Sequence, residues 1–223
     1  MRLSLPRLPG FTTLACLGLI PVTALAACCS PPAPAPSAGP SPPPVEALPP
    51  AIASEARRGF ERTLQLQGIT FRISCPNQSS LNELRIETEG LQADNEPWVQ
   101  EVDGSVTGAE VADLNLDGSP EVYVYVQSAG SGSYGSLVAY SANNRRSLRA
   151  ILLPPVADDP KASKGYMGHD EFAVVENRLV QRFPIYRDGD TNAAPTGGTR
   201  QLRYRLDAGK AGWVLRLDSM TDY

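Results

Sequence analysis

From Ile69 onward, apolar side chains recur at every second position in short runs, and a turn signal interrupts each run. Ile69, Phe71, Ile73 and Cys75 alternate with polar residues, and Leu84 and Ile86 do so inside NELRIET. In EVYVYVQ, Val122, Val124 and Val126 face one way and Tyr123 and Tyr125 the other. Leu137–Tyr140, Ser147–Leu153, Phe172–Val175, Leu179–Tyr186, Gln201–Leu206 and Trp213–Leu217 continue the series. A period of two is that of a strand, whose successive side chains point to opposite faces. Asp-Gly at 103–104, 117–118 and 188–189, Asn-Asn at 143–144, Glu-Asn at 176–177 and Ala-Gly at 208–209 supply the turns. Many short strands joined by such turns predict an all-β fold, an antiparallel β-sandwich or barrel. Helix is expected only in short segments, one of them through Ser54–Glu61. No helix-length amphipathic run separates the strands, which argues against a parallel α/β sheet.

The N-terminal segment is of another kind. In MRLSLPRLPGFTTLACLGLIPVTALAACCS, Arg2 and Arg7 precede an apolar run that Pro21 breaks. That run is shorter than the ~20 residues a membrane span requires. It ends in Leu25, Ala26, Ala27 and Cys28, small residues before a thiol that can take a diacylglycerol. Residues 1–27 read as a lipoprotein signal peptide and Cys28 as the lipidated N-terminus. Plain cleavage after Ala27 would leave that cysteine unexplained. From Pro31 to Pro50 ten of twenty residues are proline, so residues 28–50 read as a polyproline-II tether that cannot build a core. Residues 51–223 fit one domain. The expected location is the cell envelope, lipid-anchored, on the periplasmic face of the outer membrane or at the cell surface, with the membrane met through lipid alone.

Loss of Arg2 and Arg7 would take the net charge from −4 to −6, which argues against a nucleic-acid partner. Of the cysteines outside the signal and the lipidation site, Cys75 is expected as a buried free thiol, with a bridge to Cys29 the alternative.

Three stretches bear on chemistry. In ADLNLDGSPEVYVY, Asp113, Asn115 and Asp117 are spaced by two and followed by Gly118 and Glu121. Such oxygen donors before a glycine turn can converge on Ca2+, as at the start of an EF-hand loop. The twelfth position is Val124 rather than glutamate, so an EF-hand is excluded while a shorter DxNxDGxxE site in a hairpin stays open. The alternative is a turn whose side chains bond local N–H groups. No cofactor is otherwise required. His169, the one histidine, stands beside Asp170 in GYMGHDEF with no nucleophile elbow or ligand cluster, so a hydrogen-bonding corner is expected and an enzyme is not. The third stretch, SAGSGSYG at 128–135, sets one tyrosine among glycines and serines. Gly130, Gly132 and Gly135 permit positive φ and close approach, Ser131 and Ser133 offer hydroxyls, and Tyr134 offers a ring with a polar tip. By composition alone this is a flexible hairpin tip.

DLNLDGSPEVYVYVQSAGSGSYGSLVAYS, followed by YMGHDEF, RFPIYRDGD, PTGGTR and a closing YRL with a W.L.L pattern, resembles the periplasmic inhibitors of invertebrate-type lysozyme over roughly Leu64–Leu217. The resemblance implies a β-sandwich whose SGxY loop, Ser131–Tyr134 here, enters the lysozyme cleft. It assigns the Ser131 and Tyr134 hydroxyls to the enzyme's catalytic carboxyls and Gly132 to close approach. Two carboxyls of a retaining glycosidase lie ~5 Å apart, within reach of hydroxyls at i and i+3 of a turn. Further lysozyme contacts are expected near Arg187, Asp190 and Arg200, in polar glycine-containing turns that would otherwise be structural turns and surface ion pairs. The competing expectation is a calcium-stabilised envelope-binding or adhesion module without inhibitory activity.

Overall fold

The computed structural model describes residues 59–210 and 212–223. The signal peptide expected over 1–27, the tether over 28–50, Cys29 and residues 51–58 lie outside them. The described strands are β1 (Phe60–Leu66), β2 (Ile69–Cys75), β3 (Leu81–Glu89), β4 (Trp98–Asp103), β5 (Ser105–Ala112) and β6 (Glu121–Gln127), followed by β7 (Gly135–Ser141), β8 (Arg149–Leu152), β9 (Glu171–Val175), β10 (Arg178–Pro184), β11 (Thr199–Ala208) and β12 (Trp213–Asp222). The one 3-10 turn among the described residues is Val156–Asp158. The fold is all-β and sandwich-like, as expected.

β1 to β4 form an antiparallel meander in sequence order. A second sheet of eight strands runs β5-β6-β7-β8-β12-β11-β10-β9 and curls nearly into a barrel. Its two edge strands are tied by Glu110 of β5, whose Oε2 accepts the Val174 N–H of β9 at 2.6 Å and the Tyr125 hydroxyl of β6.

The alternation in EVYVYVQ is the hinge of this architecture. Val122, Val124 and Val126 pack with Ile69, Phe71, Ile73, Leu84 and Ile86 in the core between the meander and the barrel wall. Tyr123 and Tyr125 lie in the other core, inside the barrel, with Leu179, Phe183, Leu202, Tyr204 and Leu215. A strand buried on both faces needs apolar or hydrogen-bonded side chains at every position, and β6 is buried from Glu121 to Val126. Each such side chain taken fully from water contributes about 1.5–3 kcal/mol, so β6 fixes the relation of the two layers.

Several expectations are corrected. The helix predicted through Ser54–Glu61 gives way at its end to a strand, since Phe60 and Glu61 lie in β1 and pair with Cys75 and Ser74. One strand pair is parallel, β8 with β12, over Trp213–Ile151 and Val214–Leu152. β4 and β5 escaped the period-two reading for local reasons. Trp98 and Val99 of β4 are both 43% exposed, so no alternation marks it. In β5 the register shifts between Val106 and Gly108, a bulge that displaces the apolar period. The turn signals fall between strands, and Asn144 and Arg145 of the Asn143–Arg146 turn take the left-handed conformation that Asn tolerates. Cys75 is buried in the first core and has no disulfide partner among the described residues.

Candidate functional site

Because β6 is held on both faces, the segment leaving it starts from a fixed point. Gln127 makes the last pair with Gly135 of β7, and the seven residues between them form the loop. The Ser128 N–H donates to the Tyr134 carbonyl at 2.9 Å and the Tyr134 N–H donates to Ser128 Oγ at 3.0 Å, closing its base. The Ser133 N–H donates to the Gly130 carbonyl at 2.9 Å, so Gly130–Ser133 is a β-turn with Ser131 and Gly132 at its centre.

The loop is not a loose tip. The segment Gly165–Asp170 runs behind it and fastens it to the barrel. The His169 N–H donates to the carbonyls of Gly132 at 2.8 Å and Ser133 at 3.2 Å. Asn192 Nδ2 donates to the Ser131 carbonyl at 2.5 Å, while its Oδ1 lies 3.1 Å from His169 Nε2. At the end of the loop the Gly135 N–H donates to Asp170 Oδ2 at 2.8 Å.

Asp170 anchors the arrangement. It is 8% exposed and accepts hydrogen bonds from the Tyr166 hydroxyl at 2.8 Å and Gln181 Nε2 at 2.7 Å. Gln181 in turn accepts the Tyr204 hydroxyl at 2.9 Å inside the barrel. Burial raises the Asp170 carboxyl above its ordinary value, opposed by its bonds from Gly135, Tyr166 and Gln181. The Tyr166 ring, held by Asp170, meets Phe183 edge-on at 4.6 Å and Tyr134 at 5.7 Å. The lone histidine and its neighbouring aspartate are thus a hydrogen-bonding corner, as expected, and its function is to hold the loop.

Gly130, Gly132 and Gly135 do not take positive φ; within the loop Ser133 does, at 42°. A Cβ on Gly132 would lie 2.5 Å from the Tyr134 ring, so this glycine makes room for the loop's own tyrosine. Behind the loop, close approach requires Gly135, where a Cβ would fall 2.5 Å from Asp170 Cβ, and Gly168, with φ at 89°, where a Cβ would fall 2.1 Å from the Gly132 carbonyl oxygen.

Ser131 is exposed and Tyr134 is 48% exposed. Neither hydroxyl has a hydrogen-bond partner among the described residues. Met167, 42% exposed, lies beside them with its carbonyl against Gly132. Sequence reasoning missed Met167 and Asn192. The YMGHDEF motif signalled the first, and nothing local signalled the second.

The remaining candidates are distributed as follows. Arg187 is exposed and in no ion pair among the described residues. Asp190 accepts the N–H groups of Arg187 at 2.7 Å and Thr196 at 2.8 Å, and these bonds hold its carboxyl below the ordinary range. It shapes the turn that carries Asn192 to the loop. Arg200 lies inside the fold. It is 6% exposed, pairs through Nε and Nη2 with both carboxylate oxygens of Asp222 at 2.8 Å, and donates from Nη1 to the carbonyls of Lys161, Ala162 and Lys164 at 2.9 Å. It staples the 161–164 turn to the last strand.

At the other end of β6, Asp113, Asn115, Asp117 and Glu121 come together in the β5–β6 connection. Asp113 accepts the N–H groups of Asp117 at 3.0 Å and Gly118 at 2.9 Å. Asn115 Oδ1 accepts the Asp117 N–H at 3.2 Å. Asp113, Asp117 and Glu121 each place a carboxylate oxygen within 4.8 Å of the others. Glu121 is fully buried, and burial, with Asp113 and Asp117 adding to it, pushes its carboxyl up to about 8.

Residues 88–163, about a third of the chain, match the model of the family described as periplasmic lysozyme inhibitor of I-type lysozyme. No curated protein and no solved structure gives a significant match. The matched segment contains the β5–β6 connection, β6 and the whole 128–134 loop, and it ends before the Gly165–Asp170 segment that fastens the loop. Over these residues the chain is similar to the periplasmic inhibitors of I-type lysozyme.

Proposed function

We propose that this protein inhibits I-type lysozyme by seating the Ser131–Tyr134 loop in the enzyme's active-site cleft, with the Ser131 and Tyr134 hydroxyls donating to the catalytic carboxyls. The observation that carries this reading is a loop fastened from behind by His169, Asn192 and Asp170 while its two hydroxyls keep no internal partner. Hydrogen bonds to a charged group in a water-excluded cleft contribute about 1.5–3 kcal/mol each. Met167, beside the loop, and exposed Arg187, in the turn that Asp190 shapes, are taken as further contacts. The acidic chain would be drawn to a basic enzyme, which raises the association rate more than the affinity.

In this reading Cys28 carries lipid and the proline-rich residues 28–50 hold the inhibitor out from the membrane, at the periplasmic face of the outer membrane or the cell surface. The test is inhibition of invertebrate-type, chicken-type and goose-type lysozymes by the protein and by Ser131→Ala/Tyr134→Phe. Each lost hydroxyl is expected to raise Ki about 10- to 150-fold on the invertebrate type, with the melting temperature unchanged. A double variant that inhibits like the parent would place the inhibitory surface elsewhere.

A further inference from the structure

The β5–β6 connection holds a feature that lysozyme inhibition leaves unexplained. Glu121 is 0% exposed. Its Oε2 accepts the Leu114 N–H at 2.8 Å and the Tyr123 hydroxyl at 3.4 Å. Its Oε1 is buried with no partner, one of two such side-chain atoms among the described residues, the other being Thr88 Oγ1. Native structures seldom leave a buried carboxylate oxygen unmatched. Here it sits in a cluster with Asp113 and Asp117, and no lysine or arginine forms an ion pair with any of the three among the described residues.

We infer that Asp113, Asn115, Asp117 and Glu121 form a Ca2+ site that locks the β5–β6 connection. Two oxygens each about 2.4 Å from a calcium ion can be at most about 4.8 Å apart. The three carboxylates meet that limit in every pairing. All the donors are oxygens, three carboxylates and the Asn115 amide, and the cluster has no histidine or cysteine, which suits a hard cation and not zinc or copper. An irregular set on one tight turn also suits the larger, geometrically tolerant Ca2+ better than Mg2+, which demands a near-ideal octahedron. A cation there supplies the counter-charge the three carboxylates lack and the partner Glu121 Oε1 lacks.

The site lies at the opposite end of β6 from the Ser131–Tyr134 loop, about 20 Å away along seven strand residues. Its role is therefore to hold the fold, independently of lysozyme binding.

The experiment titrates chelator-stripped protein with CaCl2 by calorimetry and by thermal melting, with Tb3+ as a luminescent substitute excited through Tyr123. One ion per chain is expected, with Tb3+ emission displaced by Ca2+. At a hundredfold excess of Ca2+ over its Kd, the melting temperature should rise by about 5–10 °C. Glu121→Gln should abolish all three responses. If that buried variant fails to fold, Asp117→Asn, at an exposed position, must weaken them instead. No heat, no emission and no shift with the parent protein would overturn the site, as would responses undiminished in both variants.

Discussion

Gly168→Ala separates a fastened loop from a loose one without touching a residue that would meet lysozyme. The new Cβ would stand 2.1 Å from the Gly132 carbonyl oxygen, and real Cβ atoms essentially never approach nearer than 3.0 Å. The two segments must therefore part by about 0.9 Å at least. If that falls on the His169 N–H bond to the Gly132 carbonyl, now 2.8 Å, the bond lengthens to about 3.7 Å and is lost. The left-handed conformation costs an L-residue about 1–2 kcal/mol, and the lost hydrogen bond about 0.5–1.5 kcal/mol. The total, about 1.5–3.5 kcal/mol, corresponds to a fall in melting temperature of about 3–14 °C for a domain of this size. A loop released by the strain must be re-ordered on binding, so Ki should rise at least about tenfold. Gly130→Ala is the control, because a Cβ there meets nothing within 4 Å and its φ is not positive. Inhibition and thermal melting of both variants, with amide hydrogen exchange at His169, decide the matter. If Gly168→Ala matches Gly130→Ala in Ki, melting temperature and His169 protection, the Gly165–Asp170 segment does not present the loop.

Gly132→Ala should act on the Tyr134 ring instead. The added Cβ, 2.5 Å from that ring, displaces a half-exposed side chain, so Ki should rise while the melting temperature moves by less than about 2 °C, as titration and melting would show. Arg200→Ala should do the reverse, costing about 3–5 kcal/mol by stranding three carbonyls and one face of Asp222, with Ki unchanged where the variant is folded. The same pair sets an acid-side dependence. Arg200 holds the Asp222 carboxyl below its ordinary value, so its stabilisation is complete above that value and is lost as pH falls through the lower, folded one. Melting temperatures across that range should fall less steeply for Asp222→Asn than for the parent.

What could be read from the sequence divides along a physical line. β6 was legible because its period of two is local, even though its two faces serve different cores. The turns were legible because Asp-Gly and Asn-Asn carry their backbone preferences with them. β4 and β5 were not, since solvent-facing Trp98 and Val99 and the irregularity between Val106 and Gly108 erase the period. At the candidate site, Ser131 and Tyr134 were visible through the resemblance, but their setting was not. The bonds that fix the loop come from Asp170, 35 residues beyond Gly135, and from Asn192, 61 residues beyond Ser131. The setting of Arg200 was hidden for the same reason: a polar, glycine-containing neighbourhood looks like surface, and only the fold shows Lys161, Ala162, Lys164 and Asp222 closing over the guanidinium.

These long-range bonds decide whether the loop can inhibit at all. Ordering a free backbone costs about 1–2 kcal/mol per residue, hence about 7–14 kcal/mol for Ser128–Tyr134 if all seven residues were loose before binding. Two hydroxyls on two carboxylates return about 3–6 kcal/mol. With those terms alone, a floppy SGSY loop would not hold in a cleft. The ordering has instead been accomplished during folding, by Ser128 across the loop base, by His169 on Gly132 and Ser133, and by Asn192 on Ser131. The residues that match the inhibitor family carry the hydroxyls, whereas Gly168, His169, Asp170 and Asn192 lie beyond position 163 and supply the rigidity. A chain with the SGxY residues but without such a fastening should therefore bind lysozyme weakly, and one that keeps the fastening but loses the hydroxyls should fold normally and not inhibit.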